Sequence, residues 1–292
     1  MVFPSDNSSP TADPAEAAAG ASEQAPQAPG AAGAGRRAAV PPYGNTGESE
    51  TGSVHLNGKG FGAFTDYLNV TFRLPAEWSD PEADFFDRFS EVAGSGLGVM
   101  QDLRRGLHGY LYSYAFEHGG ARYAFGGQGN TAFLSLPGEG CALVSRWDQL
   151  TELLRDQFGA RITRWDGAVD DLEGVHTVDE AVSLYLAGTF NCGGRKPSCE
   201  QRGNWIEPDG SGRTFYVGKR RNGKLLRVYE KGKQLGQRDS PWTRWEVELH
   251  NTDRVIPWDV LKDPARFVAG AYLRISAHRR RSFQRNVDGV SG

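Results

Sequence analysis

Three cysteines, two methionines and no long apolar run set the first limits on this 292-residue chain. Cys141, Cys192 and Cys199 are too few, and odd in number, for a disulfide framework, and point to reduced thiols. Cys192 and Cys199 flank a Gly-Gly-Arg-Lys-Pro-Ser segment with no histidine close by, which makes a poor zinc pattern and reads as a plain loop. No apolar stretch reaches the length of a membrane span, and the first residues lack the apolar core of a signal peptide. A soluble, cytoplasmic protein without a membrane partner is therefore expected. A Gly-Lys-Ser/Thr phosphate loop is missing, which argues against an NTP-hydrolysing helicase. The six histidines, His55, His108, His118, His176, His250 and His278, are scattered, with no His-x-His pair to seat a metal.

Large apolar side chains are scarce in roughly the first 55 residues, which are rich in Ala, Pro, Gly and Gln. Such a segment buries too little surface to offset its ordering entropy, so residues 1–58 read as a disordered tail. The formal net charge of −3 hides an asymmetry. Residues 1 to 60 hold six acids and three bases, leaving 30 of each from residue 61 onward. Within that neutral body, residues 213 to 238 carry nine Lys or Arg and one acid, Glu230. A second basic cluster, His278 to Arg285, lies in what reads as a basic C-terminal tail, 278–292. A charge run is most often a solvated face; eight net positive charges in 26 residues favour a polyanion site instead.

Caps and periodicity outline the body, 59–277. Residues 64–74 form a strand, with Phe64, Leu68 and Val70 near one face. Asp80-Pro81 opens a helix through Val92 that buries Phe85, Phe86 and Phe89. Residues 109–127 and 130–138 give two or three strands between glycine turns. Ser145 caps a helix with Trp147, Leu150, Leu154 and Phe158, closed by Gly159. Residues 160–171 are a strand, and Thr177 with Glu180 reads as a capping box for a helix to about Ala187. A long loop spans Asn191 to Ser211. A hairpin follows, with Asn222-Gly223 as its tight turn. Residues 242–250 alternate cleanly, and residues 257–273 form the last main helix. The fold class is α+β, mainly antiparallel sheet with packed helices.

Side chains alternate across a strand. Arg164, Asp166 and Asp170 therefore share a face, with Trp165 and Val169 on the other. Arg244, Glu246, Glu248 and His250 likewise oppose Trp245, Val247 and Leu249. If these strands are neighbours, their carboxylates converge and repel unless something positive intervenes. That is either the arginines, in a structural salt-bridge network, or a divalent metal, for which hard oxygen ligands suit Mg²⁺ or Mn²⁺. Arg227, Tyr229 and Lys231 also alternate onto one face, a phenol between two cations. Tyrosine is a good strand residue and cations line wet sheet faces, yet a phenol so flanked also suits attack on a phosphodiester. Lys219, Arg220, Arg221, Lys224 and Lys233 supply a basic hairpin for a DNA backbone.

The ordered motifs Arg164-x-Asp166, Tyr216-x-Gly218, Arg227-x-Tyr229-x-Lys231 and Arg244-x-Glu246 resemble the replication initiation factor family. Its members are rolling-circle initiators of small plasmids and certain filamentous phages, and related conjugative-element relaxases. The likeness spans about residues 60 to 275. It implies site-specific nicking and joining of one DNA strand at a replication origin, through a 5′-phosphotyrosine that leaves a 3′-hydroxyl primer. By the resemblance Tyr229 is the nucleophile, with Tyr216 as its rival. Asp166 and Glu246 hold the metal, with Asp170 and Glu248 as further candidates, while Arg227, Lys231 and Arg244 hold the phosphate or assist the phenol. The implied partners are melted or single-stranded origin DNA, a host helicase and a polymerase. No separate C-terminal extension is evident, which leaves a homodimer open. The readings that compete are a non-catalytic DNA-binding protein, such as a repressor, and a relaxase of the same chemistry. Carboxylates beside a DNA groove repel phosphate, which counts against a mere binder.

Overall fold

A computed structural model describes residues 53–56, 59–190, 195–252 and 254–272. Most of the tail expected at 1–58, Cys192 and the C-terminal basic cluster lie outside them. The strands are β1 (Ser53–Leu56), β2 (Lys59–Arg73), β3 (Met100–Asp102), β4 (Tyr112–Phe116), β5 (Arg122–Phe125), β6 (Thr131–Pro137), β7 (Arg161–Asp171), β8 (Cys199–Arg202), β9 (Thr214–Lys219), β10 (Lys224–Tyr229) and β11 (Thr243–His250). The helices are α1 (Pro81–Ala93), α2 (Gly138–Leu143), α3 (Trp147–Glu152), α4 (Val178–Leu186), α5 (Lys231–Gln234), α6 (Asp259–Lys262) and α7 (Pro264–Tyr272).

All strands join one antiparallel sheet in the order β3-β4-β5-β6-β2-β7-β11-β10-β9-β8, with β1 paired to β2. The expected α+β class, mainly antiparallel, is what the chain adopts. The order has a regularity that no short sequence period announces. In each half a strand (β2 or β7) leads to a helix (α1 or α4) and then a four-stranded meander, whose last strand returns beside the first. The halves meet where β2 pairs with β7.

One face of the sheet is apolar and covered by helices. Asp80 caps α1 by accepting from the amides of Glu82 and Ala83, and Pro81 needs no amide bond there. That fixes Phe85 against Tyr123, stacked at 3.8 Å between centroids, and Phe89 against Phe116 at 5.3 Å. In the second half, α7 brings Phe267 edge-on to Trp165, and α4 brings Tyr185 edge-on to Phe215.

Several boundaries differ from expectation for identifiable reasons. Ser145 does not cap α3: its hydroxyl bonds the Ala93 carbonyl, and Arg146 occupies the cap position. Thr177 does accept from the Glu180 amide, but the Glu180 carboxylate turns to His176 rather than closing the box. The hairpin loop is four residues, Arg220 to Gly223, since Lys219 pairs with Lys224. Gly223 is its left-handed residue, with φ 69°. The loop expected from Asn191 to Ser211 contains the edge strand β8. Pro264 divides the last helix into α6 and α7, because the residue before proline avoids the helical region. Residues 53–56, read as the end of the tail, pair with 59–62.

Candidate active site

The other sheet face is polar, and register decides which of its charges meet. β10 places Arg227 opposite Glu246 and Tyr229 opposite Arg244. β7 places Asp170 opposite Arg244 and Asp166 opposite Glu248. Two of these pairs are attractive; the Asp166–Glu248 pair is not, and like charges directly across a sheet destabilise it. Arg164 resolves the conflict by donating to both Asp166 oxygens, at 2.9 and 2.6 Å, and to Glu248 at 3.4 Å. Its guanidinium lies 4.1 Å from the Tyr67 ring centroid, a cation–π contact that holds it flat.

These carboxylates are buried as deeply as core leucines. Asp166 and Glu246 are 1% exposed and Glu248 is 0%. Each has cationic neighbours: Glu246 accepts from Arg227, Asp170 from Arg244 at 2.7 Å on each oxygen, and Glu248 from Arg220 and His250. Burial pushes the Asp166 carboxyl up to about 8, opposed by Arg164 and reinforced by the charges of Glu246 and Glu248. Burial acts on Glu248 too, but bonds from His250 and Arg220 hold it well below the usual carboxylate range.

Tyr229 stands in the middle of this network. It is 8% exposed, and its hydroxyl donates to Glu246 at 3.0 Å. Burial, then the Glu246 charge, pushes the phenol well above its ordinary range, against the pull of Arg244 and Arg227. The phenol is thus held protonated with a carboxylate ready at its proton. The flanking cations are present, though not as expected. Lys231 is not a strand residue: β10 ends at Tyr229 and Lys231 begins α5. The turn still brings its ammonium 5.7 Å from the Tyr229 ring centroid, with the Arg227 guanidinium at 5.8 Å on another side. Burial, with Arg244 nearby, lowers the Lys231 pKa.

Tyr216, the alternative nucleophile, lies one strand away, opposite Arg227, with Arg202 5.4 Å from its ring centroid. Among the described residues no carboxylate accepts a hydrogen bond from its hydroxyl. The basic residues divide. Arg220 turns to Glu248 and Lys233 to Glu230, at 2.8 Å. Lys224 shares the side of β10 that carries Leu226 and Val228, and its partner Lys219 goes with it, away from Tyr229.

Asp66 is the residue that sequence reasoning missed. It sits in a bulge where the β2 register shifts between Thr65 and Tyr67. The bulge turns Thr65, not Phe64, to the core, where Thr65 accepts from the Trp165 indole at 3.0 Å. Phe64 lies instead 5.1 Å from the Arg244 guanidinium. Asp66 accepts from Arg244 at 2.9 Å, and burial pushes its carboxyl up to about 6, opposed by Arg244. A β-carbon at residue 138 would stand 2.8 Å from the Asp66 carboxylate, so Gly138 leaves room for it. The signal available was a lone aspartate inside an apolar strand.

Residues 160–286 match the model of the family described as replication initiation factor. The matched segment, 127 of the 292 residues, contains all four motifs from which the likeness was read. The match begins one residue before β7, so the first half-sheet lies outside it. A search of curated proteins found no match. A solved structure, the rolling circle replication initiator protein from Geobacillus stearothermophilus, aligns with a TM-score of 0.52 at 23% identity, over 65% of this chain and 75% of that one. The family match supports an initiator role, and the structural likeness shows a common fold.

The family likeness implies a divalent metal, and the side chains allow a test of fit. Among the described residues no group of three metal-ligating side chains is preassembled. The donor chemistry does fit: Asp166 and Glu246 are hard oxygen donors sharing one cation, the Arg227 guanidinium, which touches Glu246 and lies 3.9 Å from Asp166. That arginine is incompletely held, since its buried Nε has no hydrogen-bond partner. Asp166 and Glu246 are therefore the residues suited to a metal, in exchange for Arg227.

Proposed function

We propose that the chain initiates rolling-circle replication by nicking and rejoining one strand of origin DNA, with Tyr229 as nucleophile. The observation that carries this reading is the 3.0 Å hydrogen bond from a buried phenol to a buried carboxylate, with Arg227 bonded to that carboxylate and Arg244 opposite the tyrosine. A structural tyrosine needs an acceptor, but not Arg227 and Lys231 at its ring and Arg244 opposite it. The tyrosine oxygen attacks phosphorus, its proton passes to Glu246, and the bond from phosphorus to the 3′-oxygen breaks. The released 3′-oxygen takes a proton from solvent and can prime a polymerase. The 5′-phosphate stays on Tyr229, which conserves the bond energy for rejoining. Arg227, Arg244 and Lys231 offset the charge that builds on the phosphate.

Asp166 and the Glu246 oxygen that faces Arg227 would hold a Mg²⁺ or Mn²⁺, which would supply further neutralisation of the phosphate, while the other Glu246 oxygen faces the Tyr229 hydroxyl. Asp170 and Glu248 have other work, each already held by arginine. EDTA should then suppress nicking, and nicking at full rate in EDTA would leave the task to the guanidinium groups alone. The catalytic domain we assign is 59–277, so deleting residues 1–50 should leave nicking intact. Origin DNA is the substrate; a host helicase, a polymerase and a second copy of the chain are further partners on this reading.

The direct test is Tyr229→Phe. It should bind origin DNA as the wild type does and fail to nick it. A variant that still nicks at the wild-type rate moves the nucleophile, with Tyr216 next in line.

A further inference from the structure

The hairpin cations that turn away from Tyr229 belong to a second site. A cavity of about 710 Å³ lies at the hairpin end of the sheet, on the side that carries α4 and α7. Arg195, Lys196, Lys219, Arg221, Lys224 and Arg254 line it, and among the described residues none of its lining is acidic. This sets it apart from the polar face, where every arginine of the site already has a carboxylate.

Three of the six charges, Lys196, Lys224 and Arg254, are held in place by the fold. Lys224 donates to the Ala271 carbonyl of α7 at 2.6 Å, which ties the hairpin base to the helix layer. Arg254 donates to the Asn222 carbonyl at 3.1 Å, which folds its guanidinium over the hairpin loop. Lys196 lies 4.2 Å from the Tyr185 ring centroid. Six like charges in one concavity repel one another, and a polyanion relieves that repulsion.

The aromatic lining narrows the ligand. Sites for single-stranded nucleic acid offer open rings on which bases stack. Here the Tyr185 face is capped by Lys196 and the ring meets Phe215 edge-on, while Phe190 is 2% exposed. Charge without a stacking surface suits a sugar–phosphate backbone whose bases are paired with each other. The cut strand must reach Tyr229 on the opposite face of the sheet, so the two sites engage different phosphates.

We infer that this cavity binds the phosphate backbone of duplex DNA, the arm that flanks the strand being nicked. The inference rests on the nicking reading only for the identity of the polyanion. The test is Arg195→Ala/Arg221→Ala, both exposed, in the full-length chain. Binding of a labelled duplex of arbitrary sequence, and of a single strand of equal length, is measured across a salt series. Each phosphate contact contributes about one unit to the slope of log affinity against log salt. The duplex slope should fall by about two and duplex affinity by about tenfold, with single-strand affinity changed by less than about twofold. The charge-keeping Arg195→Lys/Arg221→Lys should recover the duplex affinity. An unchanged duplex slope, or an equal loss for the single strand, overturns the assignment. Because binding alone is read, the result stands whether or not Tyr229 proves to be the nucleophile.

Discussion

Glu246→Gln isolates the contact on which the proposed chemistry turns. Glu246 is 1% exposed and carries two bonds, one from Arg227 and one from the Tyr229 hydroxyl at 3.0 Å. The amide keeps the shape and one accepting oxygen, but loses the charge that balances Arg227. Removing one member of a buried pair costs about 3–5 kcal/mol when the other is stranded. Here Arg227 has Asp166 at 3.9 Å as a second partner, so about 2 kcal/mol is the better figure, near that of one charged hydrogen bond. In a domain of this size that lowers the melting temperature by about 4–8 °C. The effect on nicking is larger, because the phenol loses the base that takes its proton, which is worth about a hundredfold to ten-thousandfold in rate. Single-turnover nicking of an origin oligonucleotide, measured well below the variant's melting temperature, separates the two effects. Nicking within about threefold of wild type would refute Glu246 as the proton acceptor. A variant that binds DNA normally and melts as expected, yet does not nick, supports it.

Two further outcomes follow from the same geometry. In Gly167→Ala the new β-carbon would stand 2.1 Å from the Trp165 ring and 2.8 Å from Val268, so overpacking at the foot of α7 should cost about 1–3 kcal/mol, read by thermal unfolding; a neutral result would show that the indole has room to move. The second concerns pH. Asp66 and Asp166 are pushed up to about 6 and about 8, so the folded chain keeps protons that the unfolded chain has released. Their contribution to stability is complete below about pH 4 and is lost as pH rises through 6 and 8. Glu248, held low, acts only in acid and in the opposite sense. Melting temperature should therefore decline from about pH 5 to 8, and Asp66→Asn should flatten the lower part of the decline. A profile that rises over that interval contradicts the buried-carboxylate account.

Much of the site was legible from alternation alone. β11 alternates cleanly, and Trp165 and Val169 on β7 and Leu226 and Val228 on β10 mark the apolar side, so the faces of Arg164, Asp166, Glu246, Glu248 and Tyr229 followed from the strands. What alternation does not contain is the partner of each charge. That Arg227 meets Glu246, or Arg220 meets Glu248, depends on strand order and register, which are non-local. The bulge at Asp66 defeated the pattern outright, since one extra residue reversed the faces of Phe64 and Thr65. Lys231 was placed near Tyr229 for the wrong reason: a helical turn, not continued strand, brings it back. The choice between a structural network and a metal site also stayed open, because both place the same carboxylates on the same face. The arginines take up that role in the fold described here, with the Arg227 contact the one that fits exchange for a metal.

The most direct measurement is covalent capture. The purified protein is incubated with supercoiled DNA of its own replicon and Mg²⁺ or Mn²⁺, the complex is denatured and digested, and the modified peptide is identified by mass spectrometry. The account predicts a nucleotide on Tyr229. An adduct on Tyr216 would overturn the assigned nucleophile, and binding of that DNA without any adduct would contradict the nicking enzyme itself.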